Sequence, residues 1–571
     1  YESEQPNSLY DPNGSFQSIN RRYDIVYGDV MLNFNYNINR FDIAATVGWT
    51  GRYENMNNIR VSTNGGLVTE NWFDLNASRY TPSSTLQRME LLKTGYMGTL
   101  SLGWDNYLFL ELTGRQERSS TLKDQSFFYP SANLSFLFTQ AFHMPSWWNY
   151  GKLRLSYGIV GNAPETYTAN IVYEQGSDNG FTWNTIPSSW GNADIRPEKK
   201  YEYEIGLESK FLNNRLGIDV SYYNNRVKDQ ILSTPQPSTS GVKNVLMNVG
   251  EVANHGWDIS ISATPILTRD FRWDLTANYG VYKNKVVKLA DGVPYLEILN
   301  SGGSGIKIQA VEGQPMGDIY AQVPQVNENG EYLVSDKGLY LNQTELQKVG
   351  NINPAGVGGL FNSFSYKNVF LDFSIDFRIG GDVINEMNQY ATAVGLTPES
   401  LKYRDTEHGG LSYYYPGDNN SSGIPVQVDP STGVGPNGEI IYHDGIILPG
   451  VVASTGERNT RIIPAGYYYN TTYNWGTEAE QLTYRHSVFD NSYVKLRELT
   501  IGYQFPEKMI SKLGLGRLSV SVFGRNLFYF YKALKNYDAE SSVGTSWANQ
   551  ATVGSSTTAT RSFGVSLRAS F

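Results

Sequence analysis

Apolar and polar side chains alternate with a period of two in segment after segment of this 571-residue chain. Val30, Leu32, Phe34, Tyr36 and Ile38 alternate with Met31, Asn33, Asn35 and Asn37. After a short turn at Asn39-Arg40, Phe41, Ile43, Ala45, Val47 and Trp49 continue the pattern. Successive side chains of a strand point to opposite faces, so each segment sets one face against an apolar medium and the other against water. The alternation returns in Leu153, Leu155, Tyr157 and Ile159, in Phe271, Trp273, Leu275, Ala277 and Tyr279, and in Val369, Leu371, Phe373, Ile375 and Phe377. It closes on Phe563, Val565, Leu567, Ala569 and Phe571. About fifteen strands are expected on this count. Near Arg497 the phase slips, from Val494 and Leu496 to Leu499, Ile501 and Tyr503, which predicts a β-bulge.

One strand identifies the second medium. Glu202, Glu204 and Glu208 oppose Tyr201, Tyr203, Ile205 and Leu207. Three carboxylates cannot be desolvated in a dry core, but they can line a water-filled lumen, with Arg154 and Lys210 shaping its field. The apolar medium is read as outer-membrane lipid. No run of 18 apolar residues exists, which excludes a transmembrane helix. A barrel strand needs only about ten alternating residues, so a mean hydropathy of −0.39 is compatible with a membrane barrel. The 41 Tyr and 11 Trp suit side chains that meet hydrocarbon and water together.

The connections alternate in length. Short turns at Asn39-Arg40, Asp105-Asn106, Asn213-Asn214 and Lys367-Asn368 are interleaved with long stretches near 54–88, 120–130, 161–200, 232–246, 289–358, 380–490 and 530–560. A helix-compatible connection occupies 140–150. Short periplasmic turns and long extracellular loops are the asymmetry of an outer-membrane barrel. With fifteen strands the first and last both run toward the periplasm, and Trp104, Tyr107, Trp147, Trp148, Phe271 and Trp273 collect beside the short turns as an interfacial girdle. An extracellular β-sandwich or solenoid also alternates, but it does not keep this loop asymmetry.

Other function classes find no support. The absence of Cys removes disulfides and thiolate chemistry. The net charge of −9 gives no footprint for nucleic acid. His143, His255, His408, His443 and His486 are scattered, with no HExxH and no GxSxG, so no enzyme and no cofactor is expected. Asn327-Glu328-Asn329-Gly330 lacks the acidic twelfth position of a calcium loop, Asp418-Asn419-Asn420 reads as a turn, and no metal site is expected. The long loops hold aromatic clusters that suit ligand or lid contacts: Trp183 and Trp190; Tyr413, Tyr414 and Tyr415; Tyr468 with its neighbours Tyr467, Tyr469 and Tyr473; and Trp475. The blander reading of the same clusters is loop self-packing.

Several stretches resemble the SusC/RagA-like TonB-dependent transporters of Bacteroidota outer membranes, over nearly the whole chain and in family order. They include KLRLSYGIVGN (Lys152–Asn162), NADIRPEKKYEYEIGLESKF (Asn192–Phe211), NVGEVANHGWDISI (Asn248–Ile261), GNINPAGVGGLFNSFSYKN (Gly350–Asn368), SYVKLRELTIGYQFP (Ser492–Pro506), GRNLF (Gly524–Phe528) and the terminal RSFGVSLRASF. The resemblance implies an all-β, transmembrane antiparallel barrel of about 22 strands enclosing a plug. This chain would supply about the last fifteen strands. Residues 1–22 are then expected in an extracellular loop, with 23–571 as the C-terminal part of the barrel. An N-terminal plug and the remaining barrel strands would be partners. The resemblance further implies import of oligosaccharides or peptides, a SusD-like surface lipoprotein as lid, and drive from the TonB complex through the plug. Phe571 resembles the terminal signal by which barrels are recognised for assembly. A passive porin-like or adhesin barrel is the rival reading.

Overall fold

A computed structural model of the chain describes residues 2–3, 13–123, 126–178, 180–236, 239, 241–301, 305–417, 423–474, 483–542, 544, 546–554 and 559–570. Fifteen long antiparallel strands follow one another in sequence order in a single large sheet, joined at one edge by the two-residue strand Glu2–Ser3. The first eight are β1 (Ser15–Ile38), β2 (Phe41–Leu67), β3 (Ser78–Trp104), β4 (Leu108–Ser119), β5 (Ser126–Phe136), β6 (Trp148–Asn162), β7 (Glu198–Phe211) and β8 (Leu216–Lys228). The other seven are β9 (Glu251–Leu267), β10 (Phe271–Lys288), β11 (Gly356–Tyr366), β12 (Val369–Ile379), β13 (Tyr493–Gln504), β14 (Arg517–Lys532) and β15 (Ser562–Ser570). The chain divides into two compact units, residues 1–144, 151–206 and 223–253, and residues 145–150, 207–222 and 254–571.

In the first unit the register turns the sequence alternation into an unbroken apolar band. Leu32 pairs with Val47, Phe34 with Ala45 and Tyr36 with Ile43. Ala45 continues to Leu100, and Leu100 to Leu112. Leu110 pairs with Leu134, and Leu134 with Leu155. Leu32 (71%), Phe34 (57%), Tyr36, Val47, Leu112 and Leu155 stay exposed and the others partly so, because lipid rather than protein is their complement. The band on β1 runs from Ile38 to Val26 and then gives way to Asp24 and Arg22. Thirteen residues at about 3.3 Å each, tilted by about 40°, rise about 30 Å, which matches the hydrocarbon thickness.

Strands β2 and β3 have 27 residues each and continue well above that band. Where a long loop is expected near 54–88, β2 and β3 instead remain paired out to Leu67 and Ser78, around a connection of ten residues. Above the lipid nothing requires one face to be apolar, so the alternation that marks a strand disappears while its ladder continues. For the same reason β1 begins at Ser15, inside the stretch expected as loop.

The short turns are built as the sequence suggests. Asp105 (φ 52°) and Asn106 (φ 58°) both adopt the left-handed conformation at the centre of a turn that Tyr107 closes by donating its N–H to the Trp104 carbonyl, and Asn213 and Asn214 do the same in a turn closed by Arg215 on the Leu212 carbonyl. Beside them the expected girdle forms by contact: Trp104 lies 6.3 Å from Phe41 and 5.6 Å from Tyr107, ring centre to ring centre. In the second unit Trp147, Trp148 and Phe211 form a triangle of 5.4–6.0 Å contacts. There too Trp273 stacks on Phe364 and donates its indole N–H to Asn362, the polar residue that the apolar face of β11 has to satisfy.

The expected bulge is present. On β12, Ser374 and Ile375 pair with Glu498 and Leu496, leaving Arg497 as the extra residue. Across from it on β14, Asn526 sits at φ 53°, accepts from the Arg497 guanidinium at 3.2 Å and donates to the Thr560 carbonyl at 3.3 Å. Asn tolerates this conformation and Ala does not, so Asn526→Ala is expected to cost about 1–2 kcal/mol. Asn526→Gly should lose only the side-chain bonds. Thermal melts of the two variants separate the terms, and equal losses would show that backbone strain is not involved.

The long loops of the second unit fold on their own cores. Residues 295–351 carry a four-stranded sheet, Tyr295–Ser301, Ile306–Val311, Asp318–Ala321 and Gln347–Asn351. Its Ile306, Ile308 and Ile319 are fully buried with Ile384, Tyr484 and Val488. A second small sheet joins Leu411–Tyr414, Val426–Gln427, Tyr442–Ile446 and Ile463–Pro464.

Candidate ligand-facing wall

The face opposite the lipid band carries charge in a repeated local form. Residues two apart on a strand share a face, so an Arg-x-Glu or Lys-x-Glu spacing brings cation and carboxylate together along one edge. Arg52 donates to Glu54 at 2.7 Å, and Tyr23 on the neighbouring strand donates to the same carboxylate. Arg115 donates to Glu117 at 2.9 Å, and Tyr129 donates to that carboxylate at 2.7 Å. Lys200 holds Glu202 at 2.5 Å, with Asn225 donating to Glu202 at 3.2 Å. The first unit therefore repeats one element three times: an ion pair along a strand, capped by a hydroxyl or amide from the strand beside it. The second unit has Glu208 with Lys210 at 3.7 Å and Arg272 with Asp274 at 2.5 Å.

The residues assigned to the lumen from sequence belong to this pattern in part. Arg154 is partly buried in a cleft of about 550 Å³ in the first unit, with Asn35, Glu111 and Asn133. Glu202 is the carboxylate of one capped pair, and Glu204 is partly buried on the same strand. Glu208 pairs with Lys210, whose ammonium lies 5.2 Å from the Tyr150 ring centre. Glu202 and Glu208 are thus neutralised by the cations two positions away. Sequence reasoning missed Tyr23, Arg52, Glu54, Arg115, Glu117 and Tyr129. The charge spacing within the strand was legible, but the tyrosine caps come from neighbouring strands.

The loop aromatics separate into two groups. Tyr413 and Tyr415 are 1% and 6% exposed and pack with Tyr442, and the Tyr413 hydroxyl donates to Asp444 at 3.1 Å. Burial, and then the Asp444 carboxylate, push the Tyr413 hydroxyl well above its usual range. Tyr468, on the helix Ala465–Tyr473, packs edge-on to Tyr469 at 5.1 Å, and burial raises its pKa as well. His486 stacks on Tyr473 at 4.4 Å, and burial, with Arg485 nearby, lowers its pKa to about 4. These rings are loop core in this conformation. Tyr414 is only partly buried. In the first unit Trp183 is 45% exposed on the hairpin Glu174–Asp178/Phe181–Thr185, and Trp190 meets Tyr173 edge-on at 5.7 Å. Trp475, Phe571 and Asp418-Asn419-Asn420 lie outside the described residues.

Asn327 forms a plain turn, its side chain accepting the backbone N–H groups of Asn329 and Glu331. Among the described residues no group of three or more His, Asp or Glu is placed to hold a metal ion.

Comparison with known proteins gives a consistent picture. A family described as "TonB dependent receptor-like, beta-barrel" matches residues 1–327. TonB-dependent receptor P3 of Formosa agariphila is 24% identical over 494 residues, covering 79% of this chain and 42% of that protein. TonB-dependent receptor SusC of Bacteroides thetaiotaomicron is 30% identical over 247 residues, covering 40% of this chain and 24% of SusC. The chain therefore spans less than half the length of these relatives. The RagAB peptide transporter shares the fold, with a TM-score of 0.68 at 19% identity over 94% of this chain and 55% of that one.

Proposed function

The chain belongs to the TonB dependent receptor-like β-barrel family, and from that premise we propose that it supplies the wall and outer loops of an outer-membrane importer of oligomeric nutrients. The observation that carries this reading is the two-faced sheet: an apolar band about as tall as the bilayer core on one side and capped ion pairs on the other. A wall neutralised strand by strand offers many donors and acceptors with little net field. It suits oligosaccharides or peptides, whose hydroxyls and amides bond in both directions. Of the aromatics singled out from sequence, and among the described residues, Trp183, Trp190 and Tyr414 are the ones open to ligand or lid contacts.

An N-terminal plug and the remaining barrel strands complete the pore in this reading. The TonB complex acts through the plug, and a SusD-like lipoprotein covers the mouth. The test is uptake of fluorescent oligosaccharides and peptides by cells carrying or lacking TonB. Uptake should fall to background without TonB. Undiminished uptake would favour a passive porin-like barrel instead. A lipoprotein in about equal amount should co-purify in detergent, and its absence would remove the lid from the scheme.

A further inference from the structure

We propose that the segment after β14, Ala533–Ser542 with Ser546–Val553, is a strap latched onto the sheet by Glu540, and that it holds the two large loops of the second unit in place. Arg497, turned out of register by the bulge, and Lys495 are both cations of β13, and both reach the one carboxylate. Lys495 Nζ lies 2.6 Å from Glu540 Oε2, while Arg497 donates to Oε2 at 2.8 Å and to Oε1 at 2.5 Å. Arg497 also donates to Asp376 of β12 at 2.5 Å. Lys495 is only 2% exposed, so Glu540 is the carboxylate that makes its burial tolerable.

The contacts around the latch are ordered in the same sense. Tyr529 donates to Asp538 at 2.8 Å, Lys532 donates to the Tyr537 carbonyl at 2.7 Å, and Asn491 donates to the Ala539 carbonyl at 2.9 Å. Burial alone would raise the Glu540 pKa, but the bonds from Arg497 and Lys495 hold it down to about 2. The carboxyl group therefore stays charged, and the latch closed, throughout the neutral range.

Beyond the latch the strap reaches both loops. Asn536 donates to Asn388 at 3.0 Å and to Glu399 at 3.3 Å in the 380–402 segment. Leu534 and Val553 bury themselves with Val383. Ala548 and Ala551 complete the core of the four-stranded loop sheet. Glu540, supported by the bonds at Asp538, Tyr537 and Ala539, thus joins the sheet to the strap that ties down the loops.

The experiment is hydrogen exchange on the detergent-purified native protein carrying Glu540→Gln. Exchange in 533–542 should rise on the order of 100-fold, the consequence of breaking a buried ion pair. It should rise less in 386–401 and 306–321, and stay unchanged in β1–β5. If Glu540→Gln fails to insert because Lys495 is left unpaired, the double variant K495M/E540Q removes the stranded cation and must still loosen 533–542. Unchanged exchange in 533–542, or an equal rise across the whole sheet, would overturn the proposal.

Discussion

Arginine in place of Leu32 is expected to lower the folded stability of the protein in bilayers by about 2–4 kcal/mol, the cost of a charge on the lipid face near the midplane. Leu32 lies midway along the apolar band of β1, 71% exposed, beside Val47 of β2. Asn33→Arg is the matched control, one residue away on the opposite face. A one-residue step crosses the sheet, so Asn33→Arg should stay within about 0.5 kcal/mol of the parent. Urea titrations of both variants refolded into lipid vesicles give the comparison. Equal costs at the two positions would refute the assignment of faces, and with it the membrane reading of the sheet.

The second prediction concerns the loop sheet. Asp318 is fully buried, accepts the Asn351 side-chain amide at 2.7 Å and pairs with Lys348 at 2.7 Å. Asn351 in turn donates its backbone N–H to Asp382 at 2.9 Å, which ties the sheet to the next loop. Asp318→Ala should destabilise residues 306–321 and 347–351 by about 1.5–3 kcal/mol, the range for hydrogen bonds to a charged group. Lys348 is partly exposed and can return to water, which keeps the loss below that of a fully buried pair. Asp318→Asn keeps an acceptor for Asn351 and should lose less. Hydrogen exchange of the two segments reads the result, and identical protection in wild type, Asp318→Ala and Asp318→Asn would remove Asp318 from this role.

Much of the architecture was legible wherever lipid forced a choice of face. The count of fifteen strands, the paired Asn and Asp turns, the aromatic girdle and the slip at Arg497 all leave period-two or turn signatures. The tall parts of β2 and β3, and the small sheets within the loops, left none. Away from lipid, a ladder is held by backbone bonds that nearly any side chain permits.

The aromatic clusters show the same boundary at the level of single residues. Tyr413, Tyr414 and Tyr415 are consecutive and chemically identical, yet two are buried and one is partly open. Which tyrosine faces outward depends on Tyr442 and Asp444, some thirty residues away, and not on local pattern. Likewise Arg52 and Glu54 could be paired from their spacing, but Tyr23 reaches Glu54 only because the register sets β1 beside β2. The sequence by itself determined which strands cross the lipid and which of their faces meets it, because both follow from a period that one solvent boundary imposes on every such strand. The tertiary structure alone decided which polar groups meet across strands and which loop carboxylate, Glu540, reaches the buried Lys495. Those contacts join residues far apart in the chain, and no local period encodes them.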